Sequence, residues 1–313
     1  MDFSLTPDQE LLRDTAHKLL ERECPPALVR AHIDEPSVYE QLWRHLAEYT
    51  LLGTGPGSDC CLFLEQTGYA AAPGPFLATV LYAALTRDED SIGTVALVDD
   101  PTMPFVLEAD RVERIAFVGP GPSIAIVDAS TCAQEFVSQV DFSRRLFRVE
   151  APATGFEPID RERLDAWRDR AYVCLAAETV GVARRIFDMA LAYAKERYQF
   201  DVPIGSFQAI QHKLADMSLA LERATAAVHY ASMTVDAADP DRERACHVAQ
   251  AAAGEAARRI LKDGIQIHGG IGYTWEHDLH LYLRRATADE YLLGTTGWHL
   301  DRLADLVIGP VGA

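Results

Sequence analysis

The sequence predicts an α+β protein that is mainly helical, with helices at both ends and a small β region between them. Three observations carry this. Apolar residues recur at helical spacing over the first 90 residues or so; short β-branched runs then crowd into about 65 residues; and from Arg161 the pattern is helical to the end. The expected organisation is an N-terminal helical domain (1–90), a reduced β domain (91–158) and a C-terminal helical bundle (159–313).

Each region has its own signals. Thr6-Pro7-Asp8 offers a capping residue followed by a first-turn proline, and Leu11, Leu12, Thr15 and Leu19 continue at steps of three and four. "YEQLWRHLAEY" and "CCLFLEQTGYAA" read as further helices, and "GTGPGSD" and "APGP" read as loops. Near Ser91 the texture changes to "TVALVD", "RIAFVG", "SIAIVD" and "RLFRVE", separated by Pro, Gly and Asp, which is room for five or six strands. Beyond Arg161 a long segment is apolar around most of its circumference in the middle, as a helix buried among others must be. A second helix follows from about Ser206. A third is expected to open at Asp239-Pro240 and stop at Gly269-Gly270, a fourth to cover Leu279 to Leu292, and a last to begin near Gly297, making a bundle of four or five long helices.

Bulk composition narrows the function. The chain has 313 residues, 49% of them hydrophobic, enough for a substantial core. With 29 Lys+Arg against 47 Asp+Glu, its net charge of −18 opposes binding to nucleic acid or to anionic lipid surfaces. Small molecules and protein partners are the expected ligands. Six cysteines lack metal-site spacing and read as reduced thiols. An acidic N-terminus without a long apolar run gives neither a signal peptide nor a membrane span, so a cytoplasmic protein is expected.

Two segments carry residues that do not serve packing. "KERYQFDVPIGSFQAIQHKLADM" (195–217) places an arginine at a helix end before a turn and a new helix; alone, it reads as a solvated connection. "QIHGGIGYTWEHDLHLYLRRA" (266–286) contains Gly269, Gly270 and Gly272, whose backbone could approach a phosphate; alone, a glycine pair after a helix reads as a C-cap.

Together, at this spacing, they resemble the acyl-CoA dehydrogenase family, with its RxxFGxxIxxFQ segment, its QxxGGxGY about 70 residues later, and a following Glu-Gly-Thr turn. The resemblance extends to the order of domains and is strongest from about Arg170 to Gly297. It implies an FAD cofactor at a subunit interface, desaturation of an acyl-CoA thioester between Cα and Cβ, a tetramer, and electron-transfer flavoprotein as acceptor. By motif position, Arg197 pairs with the FAD pyrophosphate, Gln199 and Phe200 flank the dinucleotide, and Gln266 with the backbone at Gly269 and Gly270 holds its other side.

The chemistry requires a carboxylate to take the α-proton while a hydride leaves Cβ. Counted without gaps from Gln266, the family's glutamate position falls on Leu293, followed by the expected Gly294-Thr295. The alternative location used by some members falls at or near Ala171. Neither is an acid, so no catalytic residue is assigned; Glu178, Asp169 and Glu290 are the nearby carboxylates. Asp201 replaces the usual glycine after Phe200, and the β-domain segment that faces the flavin ring has no counterpart. The pattern resembles the shorter, base-lacking partner in heterotetrameric α2β2 enzymes of steroid and cholesterol catabolism, in which a fuller-length subunit carries the glutamate. Two other readings stay open: a structural or regulatory protein without flavin contact, and a homo-oligomeric dehydrogenase using Glu290.

Overall fold

The computed structural model describes residues 4–309; the first three residues of the opening segment and the last four of the chain lie outside them. The first helix, α1 (Pro7–Glu23), opens as its residues dictate: Thr6 Oγ1 accepts from the backbone N–H of Gln9, and Gln9 Oε1 accepts from that of Thr6. After α2 (Pro26–Asp34) and α3 (Tyr39–Leu46), α4 (Gly57–Ala70) and α5 (Phe76–Thr86) are almost wholly buried. Here "GSD", expected to be loop, is the start of α4. The Asp236 carboxylate accepts the N–H groups of Gly57 and Ser58, a long-range cap that local composition cannot reveal.

Seven strands follow: β1 (Gly93–Leu97), β2 (Val106–Leu107), β3 (Arg114–Val118), β4 (Ser123–Asp128), β5 (Gln134–Val137), β6 (Leu146–Val149) and β7 (Glu157–Pro158). They form one sheet in the order β1-β3-β4-β7 and another in the order β2-β6-β5. Only β1 and β3 pair in parallel, Gly93 opposite Arg114. The number exceeds the expected five or six because β2 and β7 are two-residue pairings, too short for an alternating pattern. Ala96, Ile115, Phe117, Ala125 and Phe147 close a separate small core between the sheets.

The bundle is organised on α6 (Arg161–Glu196), a 36-residue helix with twenty buried positions. Around it lie α7 (Gln208–Asp236), α8 (Arg242–His268), α9 (Leu279–Asp289) and α10 (Thr296–Ile308). Three of the five are long; α9 and α10 are not. Pro240 does not begin a helix, because the Asp239 carboxylate accepts the N–H of Asp241 and holds a turn, so α8 starts at Arg242. Similarly α9 stops at Asp289, where the chain tightens and Leu292 N–H bonds to the Asp289 carbonyl.

One apolar core runs from Ala16 and Leu20 of α1 through α4 and α6 to Leu293. It depends on a glycine pair. A Cβ on Gly68 would overlap the Glu178 carbonyl and one on Gly181 the Glu65 carbonyl, so α4 and α6 cross with their backbones touching. Gly181→Ala is expected to force them apart and cost about 1–3 kcal/mol, the usual overpacking range, despite the better helix propensity of alanine. Urea unfolding monitored by circular dichroism measures it; unchanged stability would mean the crossing relaxes freely.

Candidate functional site

The residues singled out by their motifs meet at one end of the bundle. Tyr193, in the last turn of α6, stacks on His268, the last residue of α8, with ring centroids 4.7 Å apart. Arg197 lies one turn beyond Tyr193, and Gly269 directly follows His268. The chain leaves α6 through a hairpin of β8 (Tyr198–Gln199) and β9 (Val202–Pro203), whose two turn residues, Phe200 and Asp201, both have positive φ (53° and 65°). That geometry suits a tight hairpin and favours Asn, Asp or Gly. Asp201 fits it, whereas a phenylalanine there is held against its preference. Phe200 is 87% exposed and packs edge-on against Phe207, Tyr198 is exposed in the same hairpin, and Ile271, Tyr273 and Trp275 are exposed in the segment after α8. Exposed aromatic side chains of this kind are a feature that interfaces share.

The polar groups at this end are open. Arg197 and Gln266 are exposed. Arg197 forms no side-chain hydrogen bond or ion pair among the described residues, although carboxylates outnumber cations in this chain. Gly269 has φ +64°, and nothing lies within 4 Å of where its Cβ, or that of Gly270, would be. Gln266 borders a groove of about 720 Å³ between α7 and α8 with a mixed charged wall, in which Lys213 pairs with Asp263 and Arg259 with Asp216, while Arg223 and Lys262 stand beside them. A guanidinium, a carboxamide and an open glycine turn form a donor set suited to a diphosphate linker, so these residues fit the phosphate-bearing half of a dinucleotide.

The turn at Leu293 is different. Leu293 is 3% exposed with φ +55°, and Gly294 follows at φ +102°. A leucine in this region costs roughly 1–2 kcal/mol, so the surroundings hold the turn. Gly294 is required twice over: for its φ, and because a Cβ would come within 2.6 Å of the Trp298 ring and 3.2 Å of His299 Nε2. Its N–H donates to the carbonyl of Thr102, 3.3 Å away, in the loop after β1. This direct backbone bond ties the turn to the β region. The cavity bordered by Thr179, Asp289, Gly294 and Thr296 is about 10 Å³, space for one water at most. Beneath the turn His299 and His247 face each other, Nδ1 to Nδ1 at 2.8 Å, with Tyr172 packed against both. Burial holds their pKa values down, to about 3 and about 4, so the pair is neutral at ordinary pH. Ala171, the alternative base position, is fully buried one residue before Tyr172.

None of the candidate carboxylates is free at the turn. Glu290 accepts the N–H and hydroxyl of Thr296 at 3.1 and 2.8 Å, capping α10, and pairs with Arg258. Asp169 pairs with Arg242 at 3.0 Å, and burial raises its pKa to about 6. Glu178 is locked between two guanidiniums, Arg144 at 2.6 Å and Arg285 at 2.7 Å, a structural role. The first of these also holds Asp289 at 2.7 Å, and the second holds Asp141 at 2.6 Å. This cluster of five buried ionic side chains joins the β region to α6 and α9. The sequence reading missed it. The Arg284-Arg285 pair inside an otherwise apolar-faced helix was the available signal, but its partners are more than 100 residues away. Burial and the Glu178 charge push Asp289 up to about 7 against the pull of Arg144.

Comparisons with known proteins agree with this architecture. Residues 169–308 match the family model for the acyl-CoA dehydrogenase C-terminal domain. The chain is similar to acyl-CoA dehydrogenase IpdE2 of Mycolicibacterium smegmatis, 32% identical across 96% of this chain and 98% of the relative. Among solved structures it resembles the Tcur3481-Tcur3483 steroid ACAD G363A variant, with a TM-score of 0.87 and 25% identity over 96% of this chain and 98% of the other. It shares the fold of the ChsE4-ChsE5 complex from Mycobacterium tuberculosis, with a TM-score of 0.83 and 22% identity over 99% of this chain and 100% of the other. No helix among the described residues is long and apolar enough to cross a membrane.

Proposed function

The chain belongs to the acyl-CoA dehydrogenase family, and on that premise we propose that it is the base-lacking subunit of a hetero-oligomeric acyl-CoA dehydrogenase. In this reading it completes the FAD site of a fuller-length partner that carries the catalytic glutamate, in an α2β2 assembly. The observation that carries it is the contrast between the two sites. The bundle end presents Arg197, Gln266 and the Gly269-Gly270 turn openly, amid exposed aromatic side chains. The turn where a base belongs holds a buried leucine bonded to the β region.

The division of labour follows from charge. An FAD held there would supply the hydride acceptor for the substrate's β-carbon. The Arg197 guanidinium would neutralise the pyrophosphate, its fork matching two phosphate oxygens. Gln199 and Phe200 would flank the dinucleotide from the hairpin, and Gln266 with the glycine-turn backbone would close its far side. The partner's glutamate takes the α-proton. Leu293 can neither accept nor return one. Glu290, with both oxygens committed to Thr296, does not support the homo-oligomeric alternative.

A steroid side-chain or ring-fragment CoA ester is the proposed substrate class; the steroid ACAD likeness supports it. Electron-transfer flavoprotein is the proposed acceptor. Purified alone, the chain should be colourless; co-expressed with a glutamate-bearing family member, it should give a yellow complex with about one FAD per heterodimer. Arg197→Ala in that complex should weaken FAD retention roughly 10- to 100-fold, the value of a hydrogen bond to a charged group. Full flavin content and turnover by the isolated chain would sink the proposal.

A further inference from the structure

Away from both sites, α1, α2, α4, α6 and α9 enclose a cavity of about 90 Å³ whose walls include Leu20, Pro25, Pro26 and Ala70, with Tyr282 and Arg185 at one side. Arg185 is the anomaly. Its guanidinium lies between the rings of Tyr69 and Tyr282, 5.2 and 5.4 Å from their centroids. Nη1 donates weakly to the Tyr69 hydroxyl at 3.4 Å, and that hydroxyl donates to Asp188. Nε is shielded from solvent and has no hydrogen-bond partner. No carboxylate among the described residues forms an ion pair with this guanidinium, while the neighbouring Arg184 pairs with Glu65 and Glu222.

A shielded guanidinium edge without an anion is costly in an acidic chain that could easily have supplied one. We propose that this cavity is a binding site for a small aliphatic monocarboxylate, its carboxylate on the free edge of Arg185 and its short chain against Leu20, Pro25, Pro26 and Ala70. Each part of that ligand answers a feature of the site. The Nε edge of a guanidinium matches a carboxylate in the plane of the fork. His17 and Gln66 also line the cavity but are bonded to each other at 3.0 Å, the remaining walls are mostly apolar, and the volume, about three waters' share of the liquid, limits the tail to a few carbons. Glu21 on the exposed rim disfavours added negative charge, so dicarboxylates and phosphates should bind more weakly than a monoanion. The site is independent of the flavin-completing role, since its lining residues are not those of the Arg197 hairpin or the Leu293 turn.

Isothermal titration of the full chain, in whatever complex it is purified, with butyrate, butyramide and succinate tests this. Butyrate should bind, with butyramide and succinate each weaker by at least about tenfold, the value of one charge-assisted hydrogen bond. Arg185→Gln should lose the preference for butyrate over butyramide. Ala70→Leu, which fills the cavity and leaves the charge in place, should abolish uptake, and it decides the matter if Arg185→Gln does not fold. No butyrate binding at millimolar concentration, equal binding of butyrate and butyramide, or unchanged binding by Ala70→Leu would overturn the proposal.

Discussion

Arg285→Met is expected to destabilise the chain by about 3–5 kcal/mol, the cost of breaking a buried ion pair from one side. The substitution keeps most of the volume, so the loss measures charge rather than a cavity. Arg285 is 2% exposed and serves Asp141, Glu178, Ser143 and the Ala72 carbonyl at once. Without it, three carboxylates share Arg144 alone. A loss of that size is a large part of a typical folding free energy of about 5–15 kcal/mol, so the variant should accumulate as insoluble protein at 37 °C. Asp289→Asn gives the contrast. With Asp289 raised to about 7, the native cluster near neutrality approaches two guanidiniums against two charged carboxylates plus one protonated acid. Asparagine resembles that protonated form and should cost far less than Arg285→Met. Urea titrations of both variants decide it; equal losses would mean the cluster is not organised by charge balance.

That cluster also marks where sequence reasoning stopped. Local chemistry was legible: Thr6 and Pro7 open α1, a change of texture near Ser91 precedes β1, and long periodic runs became α6, α7 and α8. Several errors lie where a distant residue decides a local outcome. "GSD" is helix because Asp236 caps it from α7. Asp141, Arg144, Glu178, Arg285 and Asp289 are separated by up to 148 residues (Asp141 to Asp289), and nothing in one segment announces the others. The candidate cofactor residues were legible for the opposite reason. Arg197 and Gly269 belong to short motifs at helix ends, and the Tyr193–His268 stack brings those ends together.

The two sites also follow opposite physical rules. At the bundle end, polar groups are exposed and aromatic side chains are unburied; only the aromatic exposure is unfavourable in isolation, and it is what the proposed partner would cover. At the Leu293 turn the charged groups are committed: two neutral histidines face each other, Gly294 bonds to Thr102, and the carboxylates are bound to cations or to a helix end, although His299 Nε2 and Gln250 Nε2 are buried without a hydrogen-bond partner. A catalytic base needs the reverse, an acid with open space in front of it.

Restoring the acid should therefore fail as catalysis and register as instability. Leu293→Glu places a carboxyl at a position that is only 3% exposed. Burial raises such a pKa above the ordinary glutamate value of about 4.3. A raised acid costs nothing extra below its unfolded pKa; the penalty grows as pH climbs toward the folded value and then levels off. For a rise of roughly two to three units, at about 1.4 kcal/mol per unit, the pH-dependent loss is about 3–4 kcal/mol at pH 8 and small at pH 4.5. Lost leucine packing adds about 1.5–3 kcal/mol at every pH. Leu293→Gln separates the two, since it should show the packing loss without extra pH dependence relative to the unsubstituted chain. In the co-expressed complex, flavin should stay near one per heterodimer and turnover should not rise, because the Gly294–Thr102 bond still ties the turn to the β region. Flavin content or turnover doubled by Leu293→Glu would mean that a working second site lies behind the leucine, and that the turn is a silenced active site rather than a closed one.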